Sequence, residues 1–241
     1  LLRQDRMERA GEVIGGLRAD HPRAPAVLDL AGELAFREGR PAEAAKIYAK
    51  AQAERPATRF VTRRAEAQWA DGARQEAVAT LEQWLREYPE ETTARLILAQ
   101  RYQALGRRDE AIGAYRALLE EAPDSVVVRN NLAWLLRERD PEAAMDHARR
   151  ARELAPDSPE VLDTYGMLLL GRGERAKATR VLRKAVEGRP GSRTLRYHLA
   201  RALAEDGAPD EAREQLASIL EGGQAFPERN RAQALMKRLG Q

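Results

Sequence analysis

Residue types able to carry out chemistry are sparse in this chain of 241 residues. Gly171-Arg172-Gly173-Glu174-Arg175-Ala176 has the G-x-G-x-x-A spacing that can cradle a dinucleotide pyrophosphate. That use needs a preceding strand and a β-α-β setting, whereas an amphipathic helical pattern precedes it here. The histidines, His21, His147 and His198, have no partner at metal-ligand spacing and read as surface or packing residues. No cysteine is present, which excludes disulfides, thiolate zinc sites and cysteine nucleophiles. Of the serines, Ser125, Ser158 and Ser192 each follow a proline by two residues, the place of a helix N-cap and not of a nucleophile. Carboxylates scatter at salt-bridge spacing, as Glu82 with Arg86 illustrates, and none pairs for acid–base work. No catalytic residue, cofactor site or metal site is nominated. The chain reads as a binding protein, not an enzyme.

Composition agrees with that reading. The chain is 5% aromatic and 43% hydrophobic, with abundant Ala, Leu, Arg and Glu, and no alternating β-branched window competes with helix. Its 41 basic and 38 acidic residues leave a net charge of +3, so charge alone gives no case for nucleic acid. There is no apolar run long enough for a membrane span and no signal-peptide pattern. The chain opens on Leu1 in the middle of a structural unit, and is expected to be part of a longer protein.

The elements that position these residues repeat. Pro22, Pro56, Pro89, Pro123, Pro156 and Pro190 are separated by 34, 33, 34, 33 and 34 residues. In that register an alanine opens each second helix: Ala44, Ala77, Ala111, Ala144, Ala178 and Ala212. A small residue sits midway through each first helix: Gly32, Ala65, Ala99, Ala133, Gly166 and Ala200. Turn glycines recur at Gly39, Gly72, Gly106, Gly173 and Gly207, each ending a helix by accepting the left-handed conformation. Small residues facing each other let two helices approach closely, so the unit is a helical hairpin built to stack. Fold class is all-α.

A 34-residue period with paired small residues, a turn glycine and a closing proline resembles the tetratricopeptide repeat (TPR) family over about residues 5 to 222. The resemblance implies one right-handed α-solenoid of stacked antiparallel helix pairs spanning 1–241. Residues 5–22 would be the second helix of an incomplete repeat. Repeats would follow at 25–56, 58–89, 92–123, 125–156, 159–190 and 193–222, with a capping helix at 227–239 over the last apolar face. The strings NNLAWLL (130–136) and VLDTYG (161–166) further resemble a bacterial TPR lipoprotein associated with exopolysaccharide and PEP-CTERM protein sorting. That resemblance implies a lipid-anchored, periplasm-facing parent in preference to a cytoplasmic one.

Stacked pairs curve, and their first helices line the concave side, the usual binding surface. Helical spacing projects Arg59, Glu66 and Trp69, then Gln100, then Asn130 and Trp134 toward that groove. Met167 and Leu170, then Tyr197 and Arg201, follow. Trp69, Trp134, Met167 and Tyr197 are the expected anchors for a protein or peptide ligand. The lysine and asparagine clamp by which chaperone-binding relatives hold a terminal carboxylate is incomplete: Asn131 fits, but Leu96, Gln100, Glu160 and Thr164 occupy the neighbouring places. Arg55, Arg59, Arg63 and Arg64 form a basic cluster read as a solvated face. A regulatory arm of an enzyme, or a polysaccharide-contacting module, is the alternative function.

Two units depart from the pattern. Arg64 and Gln68 replace apolar residues and Trp84 replaces a small one, which calls for a local gap. In the fourth unit the turn glycine is missing, and Asp140–Pro141 supplies a cap-plus-proline start instead.

Overall fold

The computed structural model describes residues 2–221, 223 and 225–240; Leu1 and Gln241, the ends of the expected solenoid, and Gly222, the last residue of the expected repeat 193–222, lie outside them. Those residues form fourteen helices and no strand. The chain divides into two compact units, residues 1–118 and 119–241.

Unit 1 begins with α1 (Leu2–Asp20), which packs on α2 (Pro25–Arg37). Helices α3 (Pro41–Glu54), α4 (Thr58–Ala70), α5 (Arg74–Glu87) and α6 (Thr92–Ala104) follow, each packed on its predecessor, and α4 also touches α6. Helix α7 (Arg108–Glu121) runs across the division between units. Unit 2 continues with α8 (Val126–Leu136), α9 (Pro141–Leu154), α10 (Pro159–Gly171), α11 (Arg175–Gly188), α12 (Arg193–Glu205), α13 (Pro209–Leu220) and α14 (Arg229–Leu239). From α9 onward each again packs on the one before. In addition α8 meets α10, α10 meets α12 and α12 meets α14. Alternate helices therefore form a row of their own within unit 2.

The small residues explain the close packing. All six alanines that open second helices are fully buried, as are Ala65, Ala99, Ala133 and Ala200. A Cβ on Gly166 would fall 2.7 Å from Leu182 Cγ, and one on Gly32 would fall 2.6 Å from Tyr48 Cε1. In those two hairpins a large residue from the second helix fills the space a side chain would need. Burying each such Leu or Tyr contributes roughly 1.5–3 kcal/mol.

Caps and turns follow from local chemistry. Ser158 and Ser192 accept the backbone N–H groups of Val161 and Leu195, while Ser125 occupies the N-cap position without a side-chain bond. Gly173 has φ = +77°, which turns the following N–H, that of Glu174, back onto the carbonyl of Leu169. At the one turn without glycine, Asp140 Oδ1 accepts from Ala143 N at 3.1 Å, with Pro141 at the first helical position.

The irregular second unit resolves in two ways. Gln68 is buried, but its Oε1 accepts from Thr80 Oγ1 at 2.9 Å across the hairpin, so the polar group is satisfied. Trp84 is buried and stacks on Tyr88 with ring centroids 4.0 Å apart, its Nε1 finding no acceptor. Glu82 does not pair with Arg86 as its spacing implied; it accepts from Tyr102 Oη at 2.6 Å and lies 3.6 Å from Arg107. A phenol on the next hairpin competes better than a solvated i,i+4 partner, whose contribution is only about 0.2–0.5 kcal/mol.

Candidate functional site

In unit 1 the expected groove residues lie on α4 and α6. Arg59, Glu66 and Gln100 are exposed. Arg59 lies 4.5 Å over the Phe60 ring and 4.0 Å from Asp29, and Arg63 bonds Asp29 at 2.6 Å. The basic cluster is thus partly neutralised by α2. Trp69 is half-buried between two guanidiniums, Arg101 at 4.5 Å and Arg74 at 5.5 Å from its ring centre. Burial pulls the Arg101 guanidinium below its ordinary value, with the Glu66 charge acting in the opposite sense. These two cation–ring contacts tie α4 to α5 and to α6.

Unit 2 builds a cleft of about 930 Å³ along the row α8, α10, α12 and α14. The register that repeats every 33 or 34 residues sets its walls. Asn130 and Trp134 come from α8, Asp163 and Met167 from α10, Tyr197 and Arg201 from α12, and Arg231 from α14. Five of the ten expected groove residues, Asn130, Trp134, Met167, Tyr197 and Arg201, therefore share one cavity. Leu170 does not: it is buried at 5% exposure, about a quarter turn from the centre of the α10 cleft face. Tyr197 reaches the cleft only from within a core cluster shared with Leu216, Ala232 and Leu235, so its ring serves α14 packing more than an incoming ligand.

Trp134 and Met167 are half-buried and form the apolar wall. Arg137 lies 4.1 Å over the Trp134 ring and donates to the Trp134 carbonyl at 2.7 Å, fixing the indole. The Asn130 carboxamide oxygen is buried without a hydrogen-bond donor. On the floor, His198 Nδ1 meets Asp163 Oδ1 at 2.7 Å and Oδ2 at 2.9 Å. A carboxylate only accepts, so Nδ1 carries the proton and Nε2 is the uncommitted ring nitrogen. Spacing alone reads His198 as a surface or packing residue and gives it no link to Asp163. The 35-residue separation, one repeat plus one, is the signal that places them on facing positions of neighbouring first helices.

The remaining charges of the cleft are sorted by pairing. Glu160 is engaged by Arg189 and by Ser158 Oγ, and its own backbone N–H, then Arg189 and Ser158, hold its carboxyl below the usual range against a desolvation that raises it. Glu228 accepts from Thr194 Oγ1 at 2.9 Å. Arg172 pairs with Glu142 at 3.1 Å. Among the described residues no three histidine or carboxylate side chains converge on a metal-binding position, and no helix is long and apolar enough to cross a membrane. The cleft thus presents an apolar wall, an amide and guanidiniums on one surface.

Family models agree with the geometry. One tetratricopeptide repeat model matches residues 68–135 and 169–239, and a second matches residues 1–59 and 30–92. The chain belongs to the tetratricopeptide repeat family. A TPR repeat-containing protein of Pseudomonas aeruginosa is 28% identical over 165 residues, covering 66% of this chain and 28% of its own length. This chain therefore spans little more than a quarter of that relative. Among solved structures, the APC/C hetero-tetramer Cut9–Hcn1 is similar at TM-score 0.76 and 15% identity, over 98% of this chain and 46% of that one. A tetratricopeptide repeat protein from Parabacteroides merdae is similar at TM-score 0.72 and 17% identity, over 90% and 92% of the two chains. YrrB, described as a TPR protein with an unusual peptide-binding site, gives TM-score 0.58 and 20% identity over 80% and 99%. At these identities the likeness shows the shared all-α solenoid fold. TPR proteins are generally protein-interaction scaffolds, and the fold is typically non-catalytic.

Proposed function

We propose that this TPR chain is a scaffold that holds an extended segment of a protein partner in the unit-2 cleft. One observation carries the reading: Trp134 and Met167 stand half-buried on one wall beside Asn130, whose carboxamide oxygen has no hydrogen-bond donor. Aromatic and thioether side chains supply contact area at small entropic cost, and an amide can pair with a peptide group in both directions. A peptide-binding site in YrrB, a structural neighbour, is consistent with it. The test is selection of binding peptides from a random displayed library against the 241-residue chain, followed by the W134A/M167A variant. The selected peptides should lose binding to the variant by about tenfold or more, as loss of a hot-spot pair implies. Undiminished binding would refute the site.

We further propose, on the resemblance of NNLAWLL and VLDTYG, that the whole protein serves a bacterial assembly for exopolysaccharide export or protein sorting from a lipid-anchored, periplasm-facing position. Labelling of the full-length protein with a fatty-acid analogue, followed by membrane fractionation, tests this. An unlabelled protein recovered from the cytoplasmic fraction would contradict it.

A further inference from the structure

We infer that the unit-2 cleft selects an acidic segment of its protein partner, with side-chain carboxylates of that segment meeting Arg201 and Arg231. The inference rests on the reading of the cleft as a peptide site and adds the chemistry that the peptide must have.

The argument is one of unequal pairing. Every carboxylate lining the cleft already has a close donor. Glu138 has Arg137 at 3.0 Å, Glu160 has Arg189, Asp163 has His198 and Glu228 has Thr194. The guanidiniums are not matched in the same way. Arg137, Arg172 and Arg189 are taken. Arg201 has only Glu205, at 3.9 Å and therefore beyond hydrogen-bond distance, with both side chains about two-fifths exposed. Arg231 is exposed, lines the same cleft from α14, and has no carboxylate within salt-bridge distance among the described residues. The charged groups left over are cationic, and the carboxylates are spent.

Each guanidinium presents a planar fork of N–H donors that matches a carboxylate in bidentate fashion. The other unsatisfied group is Asn130, whose amide suits a peptide backbone. Trp134 and Met167 add an apolar wall. Anion, peptide group and apolar side chain together describe an acidic protein segment with an embedded hydrophobic residue. No terminal carboxylate is required, since the cations lie on α12 and α14 and act on side chains anywhere along the segment.

The experiment uses the 241-residue chain and fluorescein-labelled, C-terminally amidated peptides: Asp and Glu flanking a central Leu-Trp, and its Asn and Gln counterpart. Fluorescence anisotropy should give about tenfold tighter binding of the acidic peptide, because hydrogen bonds to charged groups are stronger than those to neutral ones. The preference should shrink as salt is raised. The R201Q/R231Q variant should lose that preference, binding the acidic and the amide peptide within about twofold of each other. Equal binding of both peptides would overturn the inference while leaving the peptide site intact. Loss of neither peptide on W134A/M167A would sink the peptide site itself. Alginate that binds more tightly than either peptide, and loses affinity in R201Q/R231Q, would overturn the inference in favour of a polysaccharide.

Discussion

His198 Nδ1 lies 2.7 Å from Asp163 Oδ1, so the imidazole of α12 is held by the carboxylate of α10. Both side chains are largely buried, at 10% and 15% exposure, where an unmade hydrogen bond costs more than a made one gains. Replacing Asp163 with Leu strands the ring N–H, and should destabilise the chain by about 1–3 kcal/mol in urea unfolding. Adding His198→Phe should recover much of that loss, since no orphan donor remains. A double variant no more stable than D163L alone would show that the pair is incidental.

Gly166 and Leu182 test the close approach of α10 and α11. Alanine at 166 would gain about 1 kcal/mol in helix propensity. Its Cβ, however, would sit 2.7 Å from Leu182 Cγ. Overpacking of that kind costs typically about 1–3 kcal/mol, so G166A should be net destabilising. Leu182→Ala alone should cost about 2–5 kcal/mol, and clearly less in the G166A background. Additive effects in the thermal unfolding cycle would contradict direct contact.

Two phenols should ionise late. Burial pushes the Tyr48 hydroxyl up to about 12 despite the nearby Arg63 charge, and burial together with the Glu82 hydrogen bond pushes Tyr102 to about 12. A raised phenol favours the neutral folded form. Its stabilising contribution is intact below the ordinary value near 10, and is lost as pH climbs through about 12. Absorbance titration at the phenolate band should show a component near pH 12 that diminishes in Y48F and again in Y102F. Its persistence in the double variant would contradict this account.

The glycine-free turn depends on its aspartate. Asp140 Oδ1 caps α9 through Ala143 N, so Asp140→Ala should cost about 1 kcal/mol, and Asp140→Ser much less. Equal losses from both substitutions would argue that the cap is not what holds the turn.

The fold was largely legible in the sequence because its signals are periodic. Proline, turn glycine and facing small residues recur in register, and each has one physical use. Gly166 could be read as small without knowing that Leu182 fills the gap above it. The site was legible in part. Asn130, Trp134, Met167 and Arg201 were found by helical spacing, which fixes the face but not its width. Leu170 and Tyr197 lie near the edge of that face, where core packing competes and wins. The Asp163–His198 pair and the contribution of Arg231 depend on contacts between successive repeats, and spacing within a single helix carries no trace of them.

The most direct measurement of the cleft's role is fluorine NMR of the chain labelled with 5-fluorotryptophan. Its three tryptophans give three resonances: Trp84 in the core, Trp69 between guanidiniums in unit 1, and Trp134 on the cleft wall. Titration with a library-selected peptide should move the Trp134 resonance in proportion to bound peptide and leave Trp84 in place. Saturating peptide with an unmoved Trp134 would contradict the account.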